Sequence, residues 1–167
     1  MHMMRKGFAI GLLALAASCA DDPTTASAMF AGTNGQTVTG TATFTDDGKV
    51  SLTITLTAAP SGVHGIHIHN VPSCGNEGMD AGPHWDDNDT AAGNHHLPPG
   101  GGHLGDLGNI TVTSGTGSLT FSNPAWTLGD GTATDIVPHA IIFHQNMDDG
   151  QMPSAGARWG CALIAMD

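Results

Sequence analysis

An all-β fold, a Greek-key barrel or sandwich of about eight short antiparallel strands with long loops, is the class this sequence predicts. Three observations carry that prediction. Segments 37–44 and 50–57 alternate polar and apolar side chains with a period of two. Glycine is abundant, at 24 of 167 residues, while aromatics make up only 5%, which suits many turns and few bulky side chains. Beyond the N-terminal extension, no segment repeats apolar residues at helical spacing.

The extension comes first. Arg5 and Lys6 precede an apolar run over 7–17 that ends at Ala16-Ala17-Ser18-Cys19. A basic start, a short apolar stretch and small residues at the cut describe a secretory signal over 1–18, too short to span a bilayer. A cysteine directly after small residues resembles the bacterial lipoprotein signal, which implies that Cys19 is lipidated and becomes the mature N-terminus. The Asp, Pro, Thr and Ser that follow predict a polar tether, so that 19–28 form the anchor and 29–167 the folded domain. The cysteine count agrees with this division. Of three cysteines in an exported chain one needs a separate role, and lipidation of Cys19 leaves Cys74 and Cys161 to pair in an oxidising compartment. The expected location is the periplasm or cell envelope, with the lipid anchor as the sole membrane contact. Loss of the signal leaves Lys49 and Arg158 against 15 acidic residues, a formal charge of −13. That balance argues against nucleic acid as a partner.

In 37–44, Thr37, Thr39, Thr41 and Thr43 alternate with Val38, Gly40, Ala42 and Phe44. In 50–57, Val50, Leu52, Ile54 and Leu56 alternate with Ser51, Thr53, Thr55 and Thr57. Each strand therefore has one buried and one wet face. Asp46-Asp47-Gly48 between them is a turn signal, so the two form a hairpin. Further short strands are predicted at 64–69, 108–113, 117–121, 140–144 and 160–165. The stretch 71–102 is poor in alternating apolar residues and rich in Gly, Pro, Asp and Asn. Irregular segments this long are uncommon in compact domains and are usually functional.

Four histidine-bearing stretches point to that function. They are His64-Gly-Ile-His67-Ile-His69, Ala81-Gly-Pro-His84, His95-His96-Leu-Pro-Pro-Gly-Gly-Gly-His103-Leu-Gly-Asp106, and Ile142-Phe-His144. Together they hold eight of the chain's 10 histidines and one carboxylate. Imidazole is a preferred ligand of both zinc and copper, and a mononuclear site has no use for so many. Two metals are therefore predicted. Strand parity sorts the first stretch: with Ile66 and Ile68 in the core, His67 and His69 project together from the opposite face. His64 shares the isoleucine face and is expected to be structural.

At these residues the chain resembles the copper/zinc superoxide dismutases, a family that is itself a standard example of the β-sandwich and of charge-steered association. The matching stretches are His64 to His69, Ala81-Gly-Pro-His84-Trp85, Gly102-His103-Leu-Gly-Asp106-Leu-Gly-Asn109, His144 followed by Asp148-Asp149-Gly150, and Ala155-Gly-Ala-Arg158-Trp-Gly-Cys161. They occur in family order and cover the chain from about residue 28 onward.

The resemblance implies copper held by His67, His69, His84 and His144, with His84 bridging to zinc. The rest of the zinc shell would be His103, Asp106 and His95, the last chosen because Pro98 follows it by three; His96 with Pro99 is the alternative. Asp148 would join a copper histidine to a zinc histidine, Cys74 and Cys161 would form the disulfide, and Arg158 would stand beside the copper channel as an anion guide. Asp149 reads as an ordinary loop residue. The implied activity is dismutation of superoxide to dioxygen and hydrogen peroxide, with His84 moving a proton. The segment between His144 and Arg158 contains Asp148 and Asp149 but no lysine, so weak long-range steering of the anion is expected. A copper-buffering envelope protein with little turnover is the alternative, against which Arg158, His84 and Asp148 speak together. The resemblance leaves room for a homodimer, although periodicity marks no face for one.

Overall fold

The computed structural model describes residues 22–86, 102–151 and 155–167. Its strands are β1 (Thr24–Gly32), β2 (Thr39–Asp46), β3 (Val50–Ala58), β4 (Gly62–His69), β5 (Asp106–Thr113), β6 (Thr116–Ser122), β7 (Ala140–His144), β8 (Arg158–Leu163) and the two-residue β9 (Ala165–Met166). All pairings between named strands are antiparallel. The order β2-β3-β6-β5-β4-β7-β8-β1, with β1 also paired to β2, closes eight strands into a barrel. Two connections, β3 to β4 and β6 to β7, join strands that are not neighbours, which is the Greek-key crossover. Among the described residues, no helix is long and apolar enough to cross a membrane.

The alternation read from the sequence becomes the barrel wall. Phe44, Leu52, Ile54, Leu56, Ile66, Ile68, Ile141 and Phe143 all point inward and are fully buried. Burial of each such side chain contributes about 1.5–3 kcal/mol before the entropy of ordering is set against it. The predicted hairpin is present, with Thr43 facing Thr53 and Phe44 facing Leu52.

One boundary differs from the sequence reading. β1 begins at Thr24, inside the stretch expected to be tether, so residues 24–28 fold with the barrel. Ala26, Ala28 and Phe30 face inward while Thr25, Ser27 and Met29 do not. Two of those three inward residues are alanines, too small to register as a hydrophobic alternation.

Outside the barrel lies a second, smaller apolar cluster of Ala81, Ala140, Ile142 and Cys161, with Cys74 packed against it. Here the loop after β4 is stitched to β8 by a disulfide between Cys74 and Cys161, 87 residues apart in sequence. Closing so long a loop stabilises the fold by about 4–5 kcal/mol in the chain-entropy account. The disulfide holds down the loop that carries His84.

Candidate metal centre

The site is built on the outer face of β4 and β7. With Ile66 and Ile68 in the core, His67 and His69 emerge on the opposite side, yet they are 0% and 1% exposed because loops cover them. His144 ends β7 and pairs with Arg158 on β8. Gly65 leaves room for this group: a Cβ there would come within 3.2 Å of the His67 ring, the Asp148 side chain and Ala155.

Backbone hydrogen bonds bring the loop residues to the sheet. The Trp85 N–H donates to Ile68 O, Ile68 N–H to Gly105 O and Gly105 N–H to Trp85 O, each at 2.9 Å. This three-way knot sets His84 across from His69, where the two form an isolated bridge. It also sets Asp106 within reach of His84. Sequence reading gave Gly105 no role. Only the absence of its side chain permits the approach, since a Cβ would lie 2.1 Å from Ile68 O.

Two ligand groups result, and they share one residue. His67, His69, His84 and His144 each offer a nitrogen, and these atoms all lie within 4.8 Å of one another. His84, His103 and Asp106 form a second group under the same limit. His84 Nδ1 lies 2.7 Å from Asp106 Oδ1, so Nε2 is the atom it offers to the four-histidine group. Asp106 Oδ2 also accepts from the His103 backbone N–H at 2.9 Å, which fixes the carboxylate between the two rings.

The hydrogen bonds at the back of each ring decide which nitrogen faces the cluster. The His69 Nδ1–H donates to Gly82 O at 2.9 Å, which turns Nε2 inward to 3.4 Å from His144 Nε2. The His67 Nε2–H donates to Asp148 Oδ2 at 2.6 Å, so Nδ1 is its inward atom. Burial pushes the His67 pKa down to about 4 in spite of the Asp148 hydrogen bond, with the His84 charge adding to the fall. His69 and His144 lie well below the ordinary imidazole range. Burial is the main cause for both, and the charges of neighbouring histidines and of Arg158 add to it. His67, His69 and His144 therefore favour the neutral form with a lone pair free, the state that binds a metal ion rather than a proton. Four imidazoles suit copper, and two imidazoles with a carboxylate suit zinc.

Asp148 is the buried support of this arrangement. Its Oδ1 accepts from the Gly150 N–H at 2.8 Å while Oδ2 holds His67. Asn109, which lay in a quoted motif without a role, clamps its backbone: Asn109 Nδ2–H donates to Asp148 O at 2.9 Å, and the Asp148 N–H donates to Asn109 Oδ1 at 2.7 Å. Asp149 is exposed and accepts a local bond from the Gln151 N–H at 3.0 Å. An Asp148→Ala variant is expected to weaken metal binding about 10- to 100-fold, because an unheld His67 ring loses its orientation and tautomer. Chelator competition against the parent protein measures this, and unchanged affinity would remove Asp148 from the centre.

His64 is structural, as strand parity predicted. Its Nδ1–H is shared between His144 O at 3.0 Å and Gln145 O at 2.9 Å, which pins the backbone at the end of β7. The ring lies against Phe143, with centroids 4.6 Å apart. Arg158 is partly buried, its guanidinium donating to Gly78 O at 2.6 Å and Gly82 O at 2.7 Å. It thus shares the Gly82 carbonyl with His69. The predicted zinc ligand His95, its alternative His96 and the predicted lipidation site Cys19 lie outside the described residues.

The sequence model of the copper/zinc superoxide dismutase (SODC) family matches residues 38–164. The chain belongs to the copper/zinc superoxide dismutase family. The superoxide dismutase [Cu-Zn] of Legionella pneumophila is 36% identical over 120 residues, covering 69% of this chain and 70% of that protein. Among solved structures, the clock protein EA4 superposes with a TM-score of 0.72 at 23% identity, over 98% of this chain and 100% of the other. A SOD-like protein from Bacillus subtilis gives a TM-score of 0.66 at 25% identity, over 82% and 96% of the two chains. These two likenesses speak to the barrel. Copper and zinc are the metals of the copper/zinc superoxide dismutase family, and the two ligand groups here match their preferences.

Proposed function

We propose that this chain dismutes superoxide to dioxygen and hydrogen peroxide, with copper held by His67, His69, His84 and His144. Zinc would be held by His84, His103, Asp106 and His95, or by His96 in place of His95. The observation that carries the reading is the sharing of His84 between a four-imidazole group and an imidazole–carboxylate group. Bound copper supplies the one-electron exchange that dismutation requires, whereas zinc has no redox chemistry and supplies shape.

The remaining work falls to side chains. Arg158 draws in and orients the anion: its guanidinium shares the Gly82 carbonyl with His69, and its backbone pairs with that of His144. His84 Nε2 takes up and releases the proton that the peroxide product needs. The carbonyls of Gly82 and Gly156 hold the backs of His69 and His144. Asp148 does the same for His67.

The test is superoxide dismutation by the domain after copper and zinc loading. Rapid turnover supports the reading; stoichiometric metal binding with no turnover above buffer would leave a copper-buffering protein. Salt dependence is a second expected outcome. With Lys49 and Arg158 as the only cations beyond the signal, the rate should change by less than about twofold between low and physiological ionic strength. A steep decline would mean that local positive potential steers the substrate after all.

Export is part of the same proposal: a signal over 1–18, lipidation at Cys19, and residence in the periplasm or cell envelope as an anchored lipoprotein. The Cys74–Cys161 disulfide supports an oxidising compartment, and the basic and apolar start supports the signal. A homodimer is supported by exposed apolar side chains on one side of the barrel. Met29 on β1 and Leu163 on the neighbouring β8 are 78% and 47% exposed.

A further inference from the structure

Arg158 is held at both ends by residues that belong to no metal shell. Its backbone carbonyl accepts from Thr33 Oγ1–H at 2.6 Å and from Asn34 Nδ2–H at 2.8 Å, both in the turn after β1. Its guanidinium donates to the carbonyls of Gly78 and Gly82 in the disulfide loop. Glu77 joins these two supports. Its carboxylate accepts from the Asn34 backbone N–H, and its own carbonyl lies 3.4 Å from Asn34 Nδ2.

The residue next to Glu77 is Gly78, whose carbonyl receives the guanidinium and whose Cα packs under the arginine stem. A Cβ on Gly78 would lie 3.4 Å from Arg158 Cβ. Fixing Glu77 therefore fixes the seat of the guanidinium. Asn34, Asn76 and Glu77 all take left-handed backbone conformations, with φ of 52°, 51° and 54°. Such conformations are uncommon for residues other than glycine and persist where surrounding contacts over-determine them. Asn34 contacts the arginine directly, and Glu77 does so through Asn34.

We infer that Glu77 and Asn34 are positioning residues for Arg158, locking the turn after β1 to the disulfide loop so that the guanidinium is presented to the anion in one orientation. The inference rests on the reading of Arg158 as anion guide. Glu77 is exposed and carries the same sign of charge as the anion, so its role rests on its contact with Asn34 and not on its charge.

The pair Glu77→Ala and Glu77→Gln separates contact from charge, because both remove the carboxylate's charge and only glutamine keeps an acceptor for the Asn34 N–H. Asn34→Asp is an independent variant: it tolerates the left-handed backbone but loses the Nδ2 donor to Arg158. Two readouts are taken. One is kcat/KM of the copper- and zinc-loaded protein. The other is the rate at which phenylglyoxal modifies Arg158 in the metal-free protein, followed by peptide mass. Arg158 is the sole arginine after Arg5, so the second readout reports one side chain.

Glu77→Ala and Asn34→Asp are expected to lower kcat/KM about threefold or more and to raise the modification rate by a similar factor, as displacement of a substrate-orienting group would. Glu77→Gln should match the parent in both. In an Arg158→Ala background, Glu77→Ala should add nothing further to the loss. Parent-like behaviour of Glu77→Ala in both readouts would overturn the inference, and so would equal effects of Ala and Gln. If Arg158→Ala itself leaves kcat/KM unchanged, the anion-guide reading fails instead, while the modification rates still decide whether Glu77 positions the side chain.

Discussion

A His144→Ala variant should lose superoxide dismutation by at least about a hundredfold while keeping its barrel. Removing a group that merely orients a metal ligand costs about 10- to 100-fold in affinity or activity, so removing an imidazole ligand should cost more. His144 ends β7, beyond the core residues Ile141 and Phe143, and its backbone carbonyl still accepts from His64 in the variant. Its ring contributes to a group of converging imidazoles whose burial and mutual charge already push their proton affinity down. Loss of one such ring relieves that crowding, so the metal-free melting temperature should stay within a few degrees of the parent. Copper content and turnover, measured beside thermal melting of the metal-free protein, distinguish this from unfolding. Full copper occupancy with parental turnover would overturn the four-histidine assignment.

The barrel was legible because its strands pair a threonine-rich wet face with a branched apolar one, as Thr53 and Ile54 do in β3. β1 was not, because Ala26 and Ala28 fill the narrow interior with side chains too small to stand out from a polar tether. Parity alone separated His67 and His69 from His64, and the buried, carbonyl-bonded His64 follows from that separation. What periodicity could not reach was the traffic between distant segments. Asn109 meets Asp148 across 39 positions, and Glu77 meets Asn34 across 43. Those contacts are set by how the loops fold over the barrel, and neither residue carries a local pattern that announces its partner. Glycine is the extreme case, since the role of Gly105 lies in the atoms it does not have.

Gly105→Ala should be among the most damaging single substitutions outside the metal ligands. The added Cβ would sit 2.1 Å from Ile68 O, 3.0 Å from Ile68 C and 3.1 Å from Trp85 N. All three are backbone atoms of the strand and loop that carry His69 and His84, so no side-chain rotation can relieve the overlap. Relief requires the segment 104–106 to move off β4, which breaks both bonds that Gly105 makes, to Ile68 and to Trp85. A buried backbone group left without a partner costs about 1–3 kcal/mol, and this shift threatens several at once. An overall loss of about 3 kcal/mol or more is therefore expected, at the severe end for a single substitution. The same displacement carries Asp106 away from His84, so zinc affinity should fall with stability even though every ligand is still present. Thermal melting and zinc competition on the variant test both halves. A melting temperature within about a degree of the parent would show that the knot tolerates a methyl group, and that Gly105 does not hold the two ligand groups together. Paired with His144→Ala, the result separates two ways of disabling the centre: one removes a donor from an intact frame, the other keeps every donor and spoils the frame.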